Sequence, residues 1–330
     1  MRANISRVIE QSWQGVNLIS IALLPVSLVY CLLMKLRRFA YATGFLKSHK
    51  VDCPVVVVGN LSVGGTGKTP FTIWLAGWLM EQGFSPGIVL RGYGGQSVNW
   101  PAVVTPESDP REVGDEALLY ARRLNIPVVV GPSRFDDCRK LLANHACDVI
   151  LCDDGLQHLA LARDFEIALV RKRHGNDWCL PAGPLREARS RLASIDRVIH
   201  VDSDAAEIKP VPGLARQIAD HENSVGLDDF RGLRILAVAG IANPERFFCM
   251  LENAGLNIER RVFPDHHDFS PADIEAKGFD AVLMTEKDAV KCRDFATRQH
   301  WQIPLTLEIE SGLTDDLRSS LIPALNRRHD

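Results

Sequence analysis

PVVVVGNLSVGGTGKTP, residues 54–70, governs how the rest of the chain reads. Four consecutive valines, 55–58, offer no polar face, so they predict a short strand buried on both sides, as in a parallel sheet. The run ends at Gly59-Asn60, and a glycine-rich loop then opens a helix expected over 69–82. Glycines let backbone N–H groups curl around an anion, and the helix start adds partial positive charge. Lys68 is placed to reach the β- and γ-phosphates of a nucleotide, and the Thr69 hydroxyl to ligate Mg²⁺. The expected cradle is Ser62, Val63, Gly64, Gly65, Thr66, Gly67, Lys68 and Thr69. One departure stands out: the strict G-x-x-x-x-G-K-[ST] pattern puts glycine where this chain has Ser62, so the loop entry is expected to differ. The plain alternative is a glycine turn capped by Thr69.

Outward from that loop, strands and helices alternate. Strands are expected at 87–90, 127–130, 148–155, 165–170 and 197–201, with helices at 112–123 and 134–143. Such alternation implies a parallel sheet with helices on both faces. A second, smaller α/β unit begins near 213, with strands at 233–241, 258–263, 279–285 and 303–309 and helices at 244–253 and after Ser270. The fold class is therefore α/β: a P-loop NTPase-like sheet over 51–212, a smaller C-terminal α/β lobe over 213–330, and an N-terminal segment, 1–50. The linker around 203–225 reads as a hinge, whose closure excludes water from the site.

The N-terminal segment has its own character. VNLISIALLPVSLVYCLLM, 16–34, carries no charge and is followed by Lys35, Arg37 and Arg38. About nineteen residues at about 1.5 Å each approach the hydrocarbon thickness of a bilayer. The segment reads as a signal peptide, a buried core helix or a membrane-associated helix. The basic exit without a small-residue cleavage site favours the membrane helix with its basic end on the cytoplasmic side. Spanning and partial insertion are not separated. Ile5, Val8, Ile9 and Trp13 recur at helical spacing and suit an interfacial helix.

Composition sets outer limits. In 330 residues, 46% hydrophobic and 24% charged residues exclude wholesale disorder and a polytopic transporter. Lys+Arg 38 against Asp+Glu 41, a net charge of −3, gives no basic excess pointing to nucleic acid as the main partner. The 8 cysteines form no C-x-x-C pair and are expected to be free thiols in a reducing compartment.

Acidic clusters narrow the chemistry. CDDG, 152–155, ends an apolar strand, which sets Asp153 and Asp154 at the carboxyl edge beside the phosphate loop. There they can hold Mg²⁺ directly or through water, or merely terminate a strand. Asp115 and Glu116 open a helix, where acids are common as caps. In Asp265-His266-His267, neighbouring histidines point apart and make a weak metal site; an Asp–His couple assembled in space can act as a base. Arg134, and Arg186 with Arg189 and Arg191, are candidate phosphate ligands or solvated surface charges.

Seven motifs occur in order: VVVVGNLSVGGTGKTP, RGYGG (91–95), GDEALLYAR (114–122), CDDGLQH (152–158), LPAGPLREARSRL (180–192), FPDHHDFS (263–270) and MTEKDAVK (284–291). Together they resemble the tetraacyldisaccharide 4′-kinases of Gram-negative bacteria, from the apolar segment to near the C-terminus. The resemblance implies transfer of the ATP γ-phosphate to the 4′-hydroxyl of an acylated disaccharide 1-phosphate, giving lipid IVA, at the cytoplasmic face of the inner membrane. It implies Asp115 as catalytic base paired with His266, Lys68 and Thr69 serving phosphates and Mg²⁺, and Asp153 and Asp154 near the metal. Thr66, Arg134, Gln157 and Arg186 are implied near ATP or substrate; His267 is given no role, and oligomeric state stays open. Two rivals remain: a membrane-associated P-loop switch ATPase and a non-catalytic nucleotide-binding scaffold. Against a GTPase switch, no guanine-specifying N-K-x-D stretch stands after a strand in this chain, and EKDA at 286–289 is a poor imitation.

Overall fold

The computed structural model describes residues 9, 11–173, 175–201, 206–220 and 222–327. Its strands are β1 (Val55–Gly59), β2 (Pro86–Leu90), β3 (Ala102–Val104), β4 (Val128–Val130), β5 (Val149–Asp153), β6 (Phe165–Arg171), β7 (Arg197–Val201) and β8 (Ile208–Pro212). The chain continues through β9 (Ala215–Gln217), β10 (Ser224–Val225), β11 (Ile235–Ala239), β12 (Ile258–Val262), β13 (Ala281–Thr285), β14 (His300–Ile303) and β15 (Leu305–Ile309).

Two sheets result. The first runs β15-β8-β7-β6-β1-β5-β2-β4-β3 and the second β10-β9-β14-β13-β11-β12. The valine run of β1 lies between β5 and β6, parallel to both, and every residue of it is buried. Apolar layers cover both faces of the first sheet. One contains Phe71, Leu75, Leu118 and Tyr120 from helices Lys68–Glu81 and Asp115–Arg123; the other contains Cys138 and Leu141 from helix Arg134–Asn144. Val58 pairs in register with Asp153, so the acids of β5 and the loop after β1 emerge at the same edge.

Several expectations need correction. The strand expected over 303–309 is split at Pro304, which has no N–H to donate to a ladder. Its halves enter different sheets: β14 pairs with β13, whereas β15 pairs antiparallel with β8 in the first. Helix Ser311–Asn326 follows β15 back, and its Leu313, Leu317, Leu321 and Leu325 are buried in the first lobe's core. Residues 305–326 therefore belong to the first lobe, not to a second lobe running to 330. Much of the expected linker is strand. The chain crosses between sheets at Gly213–Leu214, beside the return crossing, where Gly213 N–H donates to Pro304 O at 2.8 Å. The helix expected after Ser270 is only a 3-10 turn, Pro271–Ile274, with one buried residue to anchor it. The helix expected over 112–123 breaks at Gly114, whose φ of +89° suits glycine alone; a Cβ there would lie 2.7 Å from Tyr93 O.

The apolar N-terminal segment is one helix, Leu18–Ala42, capped by Asn17 and continuous through Pro25. It is long and apolar enough to cross a membrane, yet it lies along the first lobe. Ser27 Oγ donates to Cys179 O at 2.7 Å, and Tyr30 OH to Arg186 O at 3.0 Å. Cys31 is disulfide-bonded to Cys179, 148 residues away, which corrects the expectation that all cysteines are free. Docking of the helix brings the two together, something spacing cannot reveal. Cys53, Cys138, Cys147, Cys152, Cys249 and Cys292 are free thiols. Leu28, Val29, Leu32 and Leu36 remain exposed on the helix. Of the upstream positions, Ile5 and Val8 lie outside the described residues.

Candidate active site

The loop after β1 is held from below and open above. Asn60 Nδ2 donates to the buried Thr66 hydroxyl at 2.9 Å, and Arg171 donates to Gly65 O at 2.7 Å. Gly64 and Gly67 take φ of +100° and +82°, and a Cβ on Gly64, Gly65 or Gly67 would meet nothing within 4 Å. That open concavity leads into the first turn of helix Lys68–Glu81, whose N–H groups have no intrahelical partner. The entry explains Ser62. It is buried and bridged to Leu185, while Val63 N–H donates to Pro184 O at 2.8 Å and Arg186 N–H to Leu61 O at 2.6 Å. A strand-like entry of this kind has no need of glycine.

Asp153, at the end of β5, and Asp154, just after it, lie at this edge. Lys68 Nζ lies 3.5 Å from Asp154 Oδ1, and Arg186 Nη1 donates to both Asp154 oxygens at 2.9 and 3.0 Å. Burial works against the Asp154 charge, but Lys68 and Arg186 outweigh it and hold the carboxyl below its usual range. Asp153 differs: burial, then Glu116, pushes its carboxyl up to about 7 against the pull of Lys68. Tyr120 OH donates to Asp153 Oδ2 at 2.7 Å. Among the described residues no three His, Cys, Asp or Glu side chains form a metal cage. Thr69 with one or two carboxylates nevertheless suits Mg²⁺, which takes most of its oxygens from phosphate and water. The crowded charge at Asp153 is what a divalent cation relieves, so these residues fit it.

Gln157 and Arg186 join the same edge. Gln157 Nε2 donates to Asn60 O at 3.2 Å and Glu187 Oε1 at 3.0 Å, and Arg186 reaches Gln157 Oε1 at 3.4 Å. Arg37 of the apolar helix donates to Gln157 O at 3.2 Å. Arg134 is turned into the fold. Buried at its helix start, it donates to Gly131 O at 3.0 Å and lies 3.7 Å from Asp137. Arg191 is buried against Glu166 and Glu187, and Arg189 pairs with Asp177, so both are engaged within the fold.

Asp115 is no simple cap. Gly114 occupies the cap position, and Asp115 is buried and faces the second lobe. Its Oδ2 lies 3.1 Å from His266 Nδ1 and 3.2 Å from Lys291 Nζ. Burial raises the Asp115 carboxyl, but the His266 bond and the ammonium groups of Lys291 and Lys287 outweigh it and leave it below its usual value. His266 sits at φ +60° in a tight turn, its ring 5.2 Å from that of Tyr93. His267 turns away, stacking on Phe263 and lying 3.3 Å from Asp273. Lys287, Lys291, Tyr120 and Arg171 were missed from the sequence. The lysines had a signal: four apart in MTEKDAVK, they share one helix face.

A family model described as tetraacyldisaccharide-1-P 4′-kinase (LpxK) matches residues 19–322. The chain belongs to this family. It is 43% identical over 328 residues to the tetraacyldisaccharide 4′-kinase of Methylobacillus flagellatus, covering 97% of this chain and 98% of that one. It is 45% identical over 311 residues to the tetraacyldisaccharide 4′-kinase of Nitrosococcus oceani, covering 93% and 92%. A crystal structure of LpxK from Aquifex aeolicus, described as an "apo" form in complex with ATP, superposes with a TM-score of 0.79 at 27% identity, covering 93% of this chain and all of that one. The LpxK likeness confirms the α/β fold with its apolar N-terminal helix. The seven sequence motifs thus identified the family correctly.

Proposed function

We propose that the chain is an ATP-dependent, Mg²⁺-using kinase that phosphorylates the 4′-hydroxyl of tetraacyldisaccharide 1-phosphate, giving lipid IVA in lipid A biosynthesis. Family membership supports the reaction, and one structural observation carries the choice of a lipid acceptor. The edge that holds the phosphate loop is hydrogen-bonded to the apolar helix, through Tyr30 to Arg186 O and Arg37 to Gln157 O. A nucleotide site and a lipid-facing surface are therefore parts of one assembly. A switch ATPase has no need of this junction.

The residues divide the work. Transferring a phosphoryl group passes through a loose transition state with charge spread on its outer oxygens. The N–H groups of 64–69 and the Lys68 ammonium face that charge from a fixed position, which costs no reorganisation during reaction. Mg²⁺, when bound, neutralises the phosphate oxygens, and Thr69, Asp153 and Asp154 are the residues that would hold it. Asp115 takes the proton of the acceptor hydroxyl. His266 occupies Oδ2 and leaves Oδ1, to which no described residue donates, for that hydroxyl. Thr66 shapes the loop through Asn60, and Gln157 and Arg186 fix the edge. The exposed face of helix Leu18–Ala42 enters the cytoplasmic leaflet of the inner membrane, where the acylated acceptor resides.

Purified full-length protein with Mg-ATP labelled at the γ-position and the disaccharide lipid tests the reaction. Label in the lipid is the expected result. Lipid-independent release of phosphate with no labelled lipid would favour the switch instead.

A further inference from the structure

Helix Glu286–Cys292 follows β13 and lies against helix Asp115–Arg123 of the first lobe. Arg122 donates to Val290 O at 3.3 Å, and Arg123 pairs with Glu286 at 3.0 Å. Its inward face presents two ammonium groups, Lys287 and Lys291, to the Asp115–His266 couple. Lys291 Nζ lies 3.2 Å from Asp115 Oδ2; Lys287 Nζ lies 3.4 Å from His266 Nε2 and 3.3 Å from Asp265 Oδ1.

We propose that Lys291 and Lys287 are positioning residues of the kinase: Lys291 pins Asp115 through Oδ2, and Lys287 pins His266 through Nε2. The ring proton of His266 then lies on Nδ1 and Asp115 turns Oδ1 to the acceptor. This rests on the reading of Asp115 as the base.

Hydrogen-bond chemistry carries the argument. A lysine ammonium has three donors and no acceptor. At Nε2 the Lys287 ammonium, 3.4 Å away, lies closer than the Asp265 Oδ2 acceptor at 3.8 Å, which favours a lone pair there and the proton of the neutral ring on Nδ1, donated to Asp115. Lys291 is equally constrained. Its side chain is only 8% exposed, and a buried ammonium must be paired. Its remaining neighbours are His267 O at 3.0 Å, Asp288 Oδ1 at 3.9 Å and the Phe269 ring at 5.4 Å. Asp288 is the partner on its own helix, yet Lys291 comes closer to Asp115 across the lobes. The ionisable groups around Asp115 are Glu116 on its own helix, Asp265 and His266 on the 263–270 turn, and Lys287, Asp288 and Lys291 on the facing helix. Of these, His266, Lys291 and Lys287 favour the charged carboxylate.

The test is the pH dependence of kcat/KM for the acceptor, with kcat and the KM for ATP, in full-length wild type, Lys291→Met, Lys291→Arg, Lys287→Met and Asp115→Asn. Loss of the Lys291 charge should move the acid limb up by about one pH unit, since a nearby opposite charge lowers a carboxyl by about 1–3 units. Both Met variants should lose about tenfold or more in kcat, less than the about 10²–10⁴ of removing the base itself, with the KM for ATP within about twofold. Lys291→Arg should restore the acid limb. Met variants with wild-type limbs and turnover, beside an inactive Asp115→Asn, overturn the positioning role and leave the base intact. An active Asp115→Asn overturns the base reading and the lysine roles with it. Should Lys291→Met fail to fold, Lys287→Met decides: lost turnover at an unchanged melting temperature supports the proposal, and wild-type turnover overturns it.

Discussion

Arg123 Nη1 holds both carboxylate oxygens of Glu286, at 3.0 and 3.2 Å, at one end of the helix pair whose other end joins Asp115 to Lys291. The two ion pairs clamp the lobes at opposite ends of one short interface. Both side chains of the Arg123–Glu286 pair are mostly buried, at 14% and 11% exposure. Burial raises the Glu286 carboxyl despite its arginine. Arg123→Met should therefore strand a buried carboxyl and destabilise the protein by about 3 kcal/mol, a typical cost of breaking a buried pair from one side. Urea melts of the single variant and of Arg123→Met/Glu286→Leu check this. The double variant should recover much of the loss, and a single variant as stable as wild type would show the clamp to be idle.

Lys68→Ala should abolish most transfer while leaving the melting temperature near wild type, because the side chain faces the open loop rather than the core. Steady-state kinetics with Mg-ATP and lipid acceptor measure it. Near-normal turnover would remove Lys68 from the phosphates.

Asp115→Asn should lower kcat by about 10²–10⁴, the usual worth of a general base, with the KM for ATP little changed. Equal losses in turnover and in ATP affinity would instead mean that Asp115 serves the nucleotide.

Asp137 links stability to pH. It is fully buried, and burial pushes its carboxyl up to about 7 despite Arg134. In the unfolded chain it ionises near 4. Between these values the folded state binds the extra proton, so this group's contribution to stability falls as pH rises from about 4 to 7 and is level above. Asp137→Asn should thus gain stability relative to wild type on going from pH 4.5 to 7.5, by up to a few kcal/mol. Paired urea melts at the two pH values measure the difference; a constant gap between the proteins contradicts the assignment.

Helix Leu18–Ala42 has two faces, one packed on the first lobe and one exposed. Leu28→Asp, Leu32→Asp and Leu36→Asp together alter only exposed positions. The triple variant should leave the membrane fraction on ultracentrifugation yet keep the wild-type melting temperature. Continued sedimentation with vesicles would mean that another surface anchors the protein.

Local chemistry was legible in advance. β1, the phosphate loop and the start of helix Lys68–Glu81 form one unbroken stretch, so the residues that set its local conformation are neighbours in sequence, while Arg171, Pro184 and Leu185 brace it from afar. The valine run, the glycines and Lys68-Thr69 left little to tertiary context. The acids of β5 were placed just as directly, because a parallel strand delivers its last residues to the edge where its neighbours' loops gather. The helix Leu18–Ala42 was legible as an apolar segment for the same local reason.

Other features were settled by packing between distant segments. Asp115 reads as a helix-start acid until His266, 151 residues away, is brought to its carboxylate. Lys291 has no assigned role in the sequence until the fold brings it to Asp115. The return of β15 and helix Ser311–Asn326 to the first lobe, and the Cys31–Cys179 bond, depend on which apolar faces bury one another. Periodicity states that a face must be covered but not by what, since hydrophobic burial is non-directional. The amino-acid order alone determined the nucleotide loop, the strand–helix alternation and the kinship; the folded arrangement alone decided which acid meets which base and where the lobes divide.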